Sequence, residues 1–255
     1  MGVIYLPYGY QDARAIPNNE IIILRPQHNS HGRNDMEGAF RPEAEAFCDY
    51  HNIPRSRIFS FDNSMAYRGR SEEVLALLEE EEPRIVIGFM HGWTHGIQCG
   101  IRCNMHPKFG RHDKPIWEKF ESLLARHHNP HIVLYACSTG NDPDDDPDTA
   151  PGSGEDSFAD VLRDDLAWMG SVWCRVVAHT TAGHTTHNPW LKFFDGKGSP
   201  YGGIGAELLF PPRDRRGRFT KEWRYLKEQL HTDFRFRFPF MRTVEIHEHI
   251  KKNTA

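Results

Sequence analysis

Apolar residues fall along the chain in short, nearly unbroken runs, separated by stretches with helical spacing. Glu20–Leu24 (EIIIL), Arg57–Phe61 (RIFSF), Arg84–Met90 (RIVIGFM), His131–Tyr135 (HIVLY) and Ser171–His179 (SVWCRVVAH) read as five strands. None of them alternates cleanly between apolar and polar, the pattern of strands buried on both faces. Pro42–Tyr50 reads as a helix, with Pro42 suited to a first helical position. Ser71–Glu81 reads as another, with Ser71 as its N-cap and Glu72 and Glu73 near the positive end of its dipole. In Pro115–His127 the residues Ile116, Phe120, Leu123 and Leu124 share a face. In Ser157–Met169 the same holds for Phe158, Val161, Leu162 and Leu166. Thr220–Leu230 gives a further helix through Trp223, Leu226 and Leu230, and Phe234–His249 suggests an edge strand or hairpin.

Strand and helix therefore alternate along the chain. That order predicts an α/β fold, doubly wound around a mainly parallel sheet, with helices on both faces and strand order near 2-1-3-4-5. The expected organisation is an N-terminal extension over 1–19, the α/β domain over 20–212, and a C-terminal helix with an edge strand over 213–255, packed on the same domain. Ligands of such sheets bind beyond the carboxyl ends of the strands. Reactive residues directly after the third, fourth and fifth strands should therefore lie together.

Composition narrows the functions. Thirty-one Lys and Arg against 35 Asp and Glu leave a net charge of −4 with neutral histidines. There is no overall attraction to nucleic acid or to an anionic membrane. No apolar run has the roughly 18 residues of a membrane span, and residues 1–17 lack a signal-peptide pattern. Five scattered cysteines, an odd number in a chain of 255, argue against a disulfide framework and for a reducing, cytoplasmic setting. Sixteen histidines keep metal chemistry under consideration.

Two strand ends carry the candidate chemistry. The third strand runs into His91-Gly92 (RIVIGFMHGW), and the fourth runs into Ala136-Cys137 (HIVLYACSTG) about 45 residues later, one crossover away. A strand ending in His-Gly followed by one ending in Ala-Cys resembles the caspase-like (clan CD) cysteine peptidases. LYACSTG is similar to the cysteine block of the CHAT subgroup. The resemblance spans roughly Glu20 to Phe194 and implies a caspase-like fold that hydrolyses peptide bonds. It gives Cys137 the nucleophile's part and His91 that of the acid which protonates the leaving amine, with backbone N–H groups of Gly92 and Cys137 forming the oxyanion hole. It needs no cofactor, and it implies a protein or peptide substrate. Relatives are often made inactive, so cleavage or an activating partner is expected, the acidic loop after Cys137 being the natural place for a cut. The chemistry agrees: a thiolate attacks, a nearby imidazole moves the proton, and glycine lets backbone approach the substrate.

Around this pair lie secondary candidates. His95 begins a second His-Gly and borders the expected site. The acidic run NDPDDDPD (141–148) is a solvated loop in the plainest reading. Otherwise it is a Ca²⁺ site or, through Asp142 and Asp144, an acidic wall that favours a basic substrate residue. In AHTTAGHTTHNP (178–189) the resemblance marks Thr180, Thr181 and Gly183 as substrate-groove residues, while His184 and His187 have metal-ligand chemistry.

Two other classes compete. HNSHGRNDMEGAF (28–40) resembles the start of zinc-dependent N-acetylmuramoyl-L-alanine amidases, which act on peptidoglycan. In that reading His28, His31 and Asp35 border a metal site, and Glu43 or Glu45 and then His91 follow. Arg33 stands where that family has a second glycine, and the LYACSTG block is left without a role. Cys99, Cys103 and His106 form a weaker zinc set. The third class is a caspase-like interaction module without catalysis.

Overall fold

The computed structural model describes residues 17–28, 40–51, 53–141, 154–180 and 191–196. In chain order its strands begin with β1 (Ile21–Pro26), β2 (Ile58–Phe61) and β3 (Ile85–Phe89). Three two-residue strands follow, β4 (Gly92–Trp93), β5 (Gly96–Ile97) and β6 (Ile101–Arg102), and pair with one another as a small antiparallel sheet. The last are β7 (His131–Tyr135), β8 (Arg175–His179) and β9 (Leu191–Asp195). Among the described residues the central sheet has six strands, in the order β2-β1-β3-β7-β8-β9. Its first five are parallel, in the 2-1-3-4-5 order expected, and β9 runs antiparallel to β8.

The helices are α1 (Arg41–His51), α2 (Tyr67–Glu81), α3 (Asp113–Leu124) and α4 (Phe158–Trp168). Successive side chains of a strand point to opposite faces, and β1 shows where this leads. Ile21 and Ile23 join Ala44, Phe47 and Cys48 of α1 in one core cluster. Ile22 and Leu24 join Val74 and Leu78 of α2, Trp117 and Phe120 of α3, and Leu162 and Leu166 of α4 in the other. Right-handed crossovers account for the split. The step from β1 to β2 runs one way along the sheet, and the later steps run the other way, so α1 lies on one face and α2, α3 and α4 on the opposite one. Fully burying a side chain such as Leu162 or Phe47 contributes about 1.5–3 kcal/mol.

Local details depart from the sequence expectations for identifiable reasons. The second helix begins at Tyr67, not Ser71, and Ser71 caps nothing: its hydroxyl donates to the Arg68 carbonyl. Arg70 reinforces the extra turn by donating to the Met65 and Gln98 carbonyls. Pro42 is the second residue of α1 and Pro115 the third of α3, both within first turns that tolerate a missing N–H. Ser157 is the N-cap of α4, accepting from the Asp160 N–H at 3.2 Å. The fifth expected strand is shorter than its apolar run, because 171–174 form a turn before β8. The expected elements at 220–230 and 234–249, and the extension up to residue 16, lie outside the described residues.

Candidate active site

Parallel pairing sets the site. Phe89 of β3 is the register partner of Tyr135 of β7. His91 and Cys137 each follow two residues later, so both leave the sheet at the same height on its carboxyl rim. The Met90 N–H continues the ladder to the Tyr135 carbonyl at 3.4 Å.

The two rim segments then touch through a glycine. A β-carbon on Gly92 would lie 2.6 Å from Thr139 Cγ2, 2.8 Å from Ala136 Cβ and 2.9 Å from the Cys137 carbonyl oxygen. Any side chain there would force the segments apart, so glycine is required for close approach. On the cysteine side the chain turns sharply. Ser138 has φ of 55°, a left-handed conformation uncommon outside glycine. The Thr139 hydroxyl donates to the Ala136 carbonyl at 3.0 Å, and the Asn141 N–H donates to the Ser138 carbonyl at 3.1 Å. The Gly140 N–H reaches the His179 carbonyl of β8 at 2.7 Å.

His91 is held from two sides. Its N–H donates to Gln98 Oε1 at 3.1 Å, and its carbonyl accepts from the Gln98 N–H at 2.9 Å; Gln98 is buried. Its ring stands edge-on to Phe40, with centroids 5.2 Å apart and planes at 78°. Both His91 and Cys137 are partly exposed, whereas Cys48, Cys99, Cys103 and Cys174 are all buried. Burial pushes the Cys48, Cys99 and Cys103 thiols up to about 12 and keeps them protonated. Cys137 is therefore the one cysteine of five that combines exposure with a strand-end position.

The first turn of α4 joins the two loops. The Phe158 N–H donates to the Thr94 carbonyl at 2.6 Å, and the Ala159 N–H donates to the Thr139 carbonyl at 2.9 Å. These are N–H groups that have no partner within their own helix.

The other residues singled out from the sequence fall as follows. His95 is half-buried, its ring 6.4 Å from that of His106, and burial lowers its pKa against the pull of Asp156. Thr180 follows β8 and is buried. Asp142, Asp144, Thr181, Gly183, His184 and His187 lie outside the described residues. So do His31 and Asp35. The remaining member of that set, His28, has its ring 4.0 Å from Asp62, and its backbone exchanges hydrogen bonds with Asn63 at 2.7 and 2.6 Å. Among the described residues no three His, Cys, Asp or Glu side chains form a group that could hold a metal, and Cys99, Cys103 and His106 do not come together as one. Gln98 and Phe40, which brace His91, are not foreseen from the sequence. Neither carries a local signal, since each acts through contacts made only in the folded chain.

No protein-family model matches the chain, and no curated protein matches it by sequence. The class defined by fold and site is a doubly wound α/β domain with a histidine and a cysteine at one rim.

Proposed function

We propose that this chain is a cysteine endopeptidase that hydrolyses peptide bonds through His91 and Cys137. The observation that carries the reading is the register: the imidazole and the thiol follow paired residues of adjoining parallel strands, at the rim where such sheets bind ligands.

In this mechanism His91 takes the Cys137 thiol proton. The sulfur attacks the substrate carbonyl carbon, and the oxyanion accepts from the N–H groups of Gly92 and Cys137. Collapse breaks the C–N bond, His91 returns the proton to the departing amine, and a thioester remains on Cys137. Water, deprotonated by the same imidazole, then cleaves the thioester. The resemblance to caspase-like peptidases supplies these roles; the two short blocks around His91 and Cys137 carry it. The acidic stretch 141–148 is proposed to favour a basic residue before the cut.

Peptide-library hydrolysis by the purified chain tests the proposal. Cys137→Ala and His91→Ala should each lower kcat/KM by at least a thousandfold, and chelators should have no effect. Absence of hydrolysis by the wild-type chain, before and after limited proteolysis, would overturn the assignment in favour of a binding module. Activity that survives Cys137→Ala and is abolished by chelation would point to the zinc amidase. Equal cleavage after basic, neutral and acidic residues would remove the proposed preference.

A further inference from the structure

A second constellation stands on the same rim as His91 and Cys137. Tyr67 opens α2 shortly after β2, and it is 45% exposed. Two guanidinium groups lie against its ring, Arg70 at 4.8 Å and Arg102 at 5.0 Å from the centroid. The Trp93 indole meets the same ring edge-on, with centroids 6.4 Å apart. The small antiparallel sheet sets this up. Trp93, Gly96 and Arg102 are register partners across β4, β5 and β6, so they form one row on one face. A β-carbon on Gly96 would lie 2.8 Å from the Trp93 indole, so the side chain missing from the middle of the row makes room for the ring. Gly100, with φ of 87°, seats the sheet on α2: a β-carbon there would collide with the Tyr67 carbonyl.

Sharing one ring keeps the two cations within about 10 Å of each other, close enough to repel. Among the described residues they are only partly neutralised. Arg70 donates to the Met65 and Gln98 carbonyls at 2.7 and 3.2 Å and forms no ion pair with any described residue. Asp62 feels its charge weakly, and Asp62 Oδ1 already accepts from the Ser64 N–H and hydroxyl. Arg102 has Asp113 Oδ1 at 3.7 Å, beyond hydrogen-bond length, and its buried Nε has no partner among the described residues. The other Asp113 oxygen accepts from the Gly110 N–H at 3.0 Å. Each guanidinium keeps N–H groups to spare, in a planar fork that matches a carboxylate.

Gln98 joins this cluster to the candidate site. Its carbonyl accepts from Arg70, and its side chain accepts from the His91 N–H at 3.1 Å. The cluster follows β2 and β3, which lie on the far side of His91 from β7 and Cys137. In the proposed mechanism Cys137 holds the acyl half of the substrate and His91 protonates the departing amine, so the departing half extends on the cluster's side. We propose that Arg70 and Arg102, set around Tyr67 and Trp93, form a subsite for an acidic side chain of the substrate located after the cut. Trp93 is two residues from His91, and the Tyr67 ring is one contact further. An extended substrate covers that distance in two to four residues at ~3.3 Å each. This inference rests on the cysteine-peptidase reading and adds a substrate class to it: peptides with Asp or Glu on the departing side, opposite the basic residue proposed before the cut.

The test uses the full chain and quenched fluorescent peptides that differ only in carrying Asp, Asn or Lys at the second, third or fourth position after the cut. At one of these positions kcat/KM should be at least tenfold higher for Asp than for Asn, through KM rather than kcat, and lowest for Lys. Added salt, about 0.5 M, should shrink that ratio. Arg102→Gln should bring the Asp-to-Asn ratio close to one, and Arg102→Glu should place Lys above Asp. The ratio is read within each variant, so a general loss of activity does not mimic the effect, and the wild-type ratio and its salt dependence need no variant. Equal kcat/KM for Asp, Asn and Lys at all three positions in the wild type overturns the inference while the cysteine-peptidase reading stands. No hydrolysis of any peptide, before or after limited proteolysis, overturns both. A preference for Asp that persists in Arg102→Gln and in Arg70→Gln assigns it to other residues and also overturns the inference.

Discussion

The α-carbon of Gly92 packs so tightly against the Cys137 carbonyl oxygen that a β-carbon there would come within 2.9 Å of it. The residue after the histidine and the backbone of the cysteine thus define each other's position.

Gly92→Ala should therefore disturb the rim while sparing the sheet. The added carbon meets backbone and side chain at 2.6–2.9 Å, and one segment must shift. We expect thermal stability to fall by about 1–3 kcal/mol, the usual cost of overpacking, and the proposed peptidase activity to fall at least a hundredfold. A variant with wild-type melting and wild-type activity would show that the close contact is not needed.

Thiol labelling in the native state should be confined to one site. Cys137 is partly exposed while the other four cysteines are buried. With iodoacetamide at neutral pH, one thiol per chain should react quickly, and Cys137→Ser should abolish that reaction. The remaining four should label only on unfolding. Rapid native labelling at any other cysteine contradicts the burial pattern.

Glu121 gives stability a dependence on alkaline pH. It is buried between α3 and α4, and burial pushes its carboxyl up to about 9, helped by a hydrogen bond to Asp165 and by that residue's charge. Asp165 also accepts from the Trp117 indole at 3.0 Å. Folding favours the protonated acid. Its stabilisation is complete below the ordinary Glu value of about 4.5 and is lost as pH rises through about 9. Glu121→Gln keeps a donor for Asp165 and should flatten the decline in melting temperature between pH 6 and pH 9. An equally steep decline in the variant would reject this origin.

His131 acts at the acidic end. Burial, then the charges of Arg175 and Arg84, lower its pKa to about 3, so the folded chain holds it neutral. The stability it contributes is present above the ordinary His value of about 6.5 and is lost as pH falls toward 3. Urea unfolding at pH 7 and pH 4 should show a smaller acid loss in His131→Gln than in wild type. No difference between the two would assign acid sensitivity elsewhere.

Much of this architecture is legible in the sequence. His131–Tyr135 is the same five residues by pattern and by structure, because a strand buried on both faces leaves an unbroken apolar run. Order and crossover handedness then define the neighbours of β3 and β7, and with them the shared rim of His91 and Cys137. Other parts leave little trace. The strands β4 to β6 have two residues each, too few for any periodicity. Val172 and Trp173 resemble strand residues but lie in an exposed turn after Gly170, whose φ is 98°. Gly69 disguises the first turn of α2. The left-handed Ser138 has no signature, since serine rarely adopts that conformation.

The two hydrogen bonds from the start of α4 have a mechanical consequence. Phe158 and Ala159 clasp the loops that follow β3 and β7, while Leu162 and Leu166 anchor the helix in the core. A chain severed between Asn141 and Gly154 would still be riveted across the break, since each fragment keeps its own part of one shared interior. Proteolysis there would change the covalent connectivity of the domain without dismantling the carboxyl rim of its sheet.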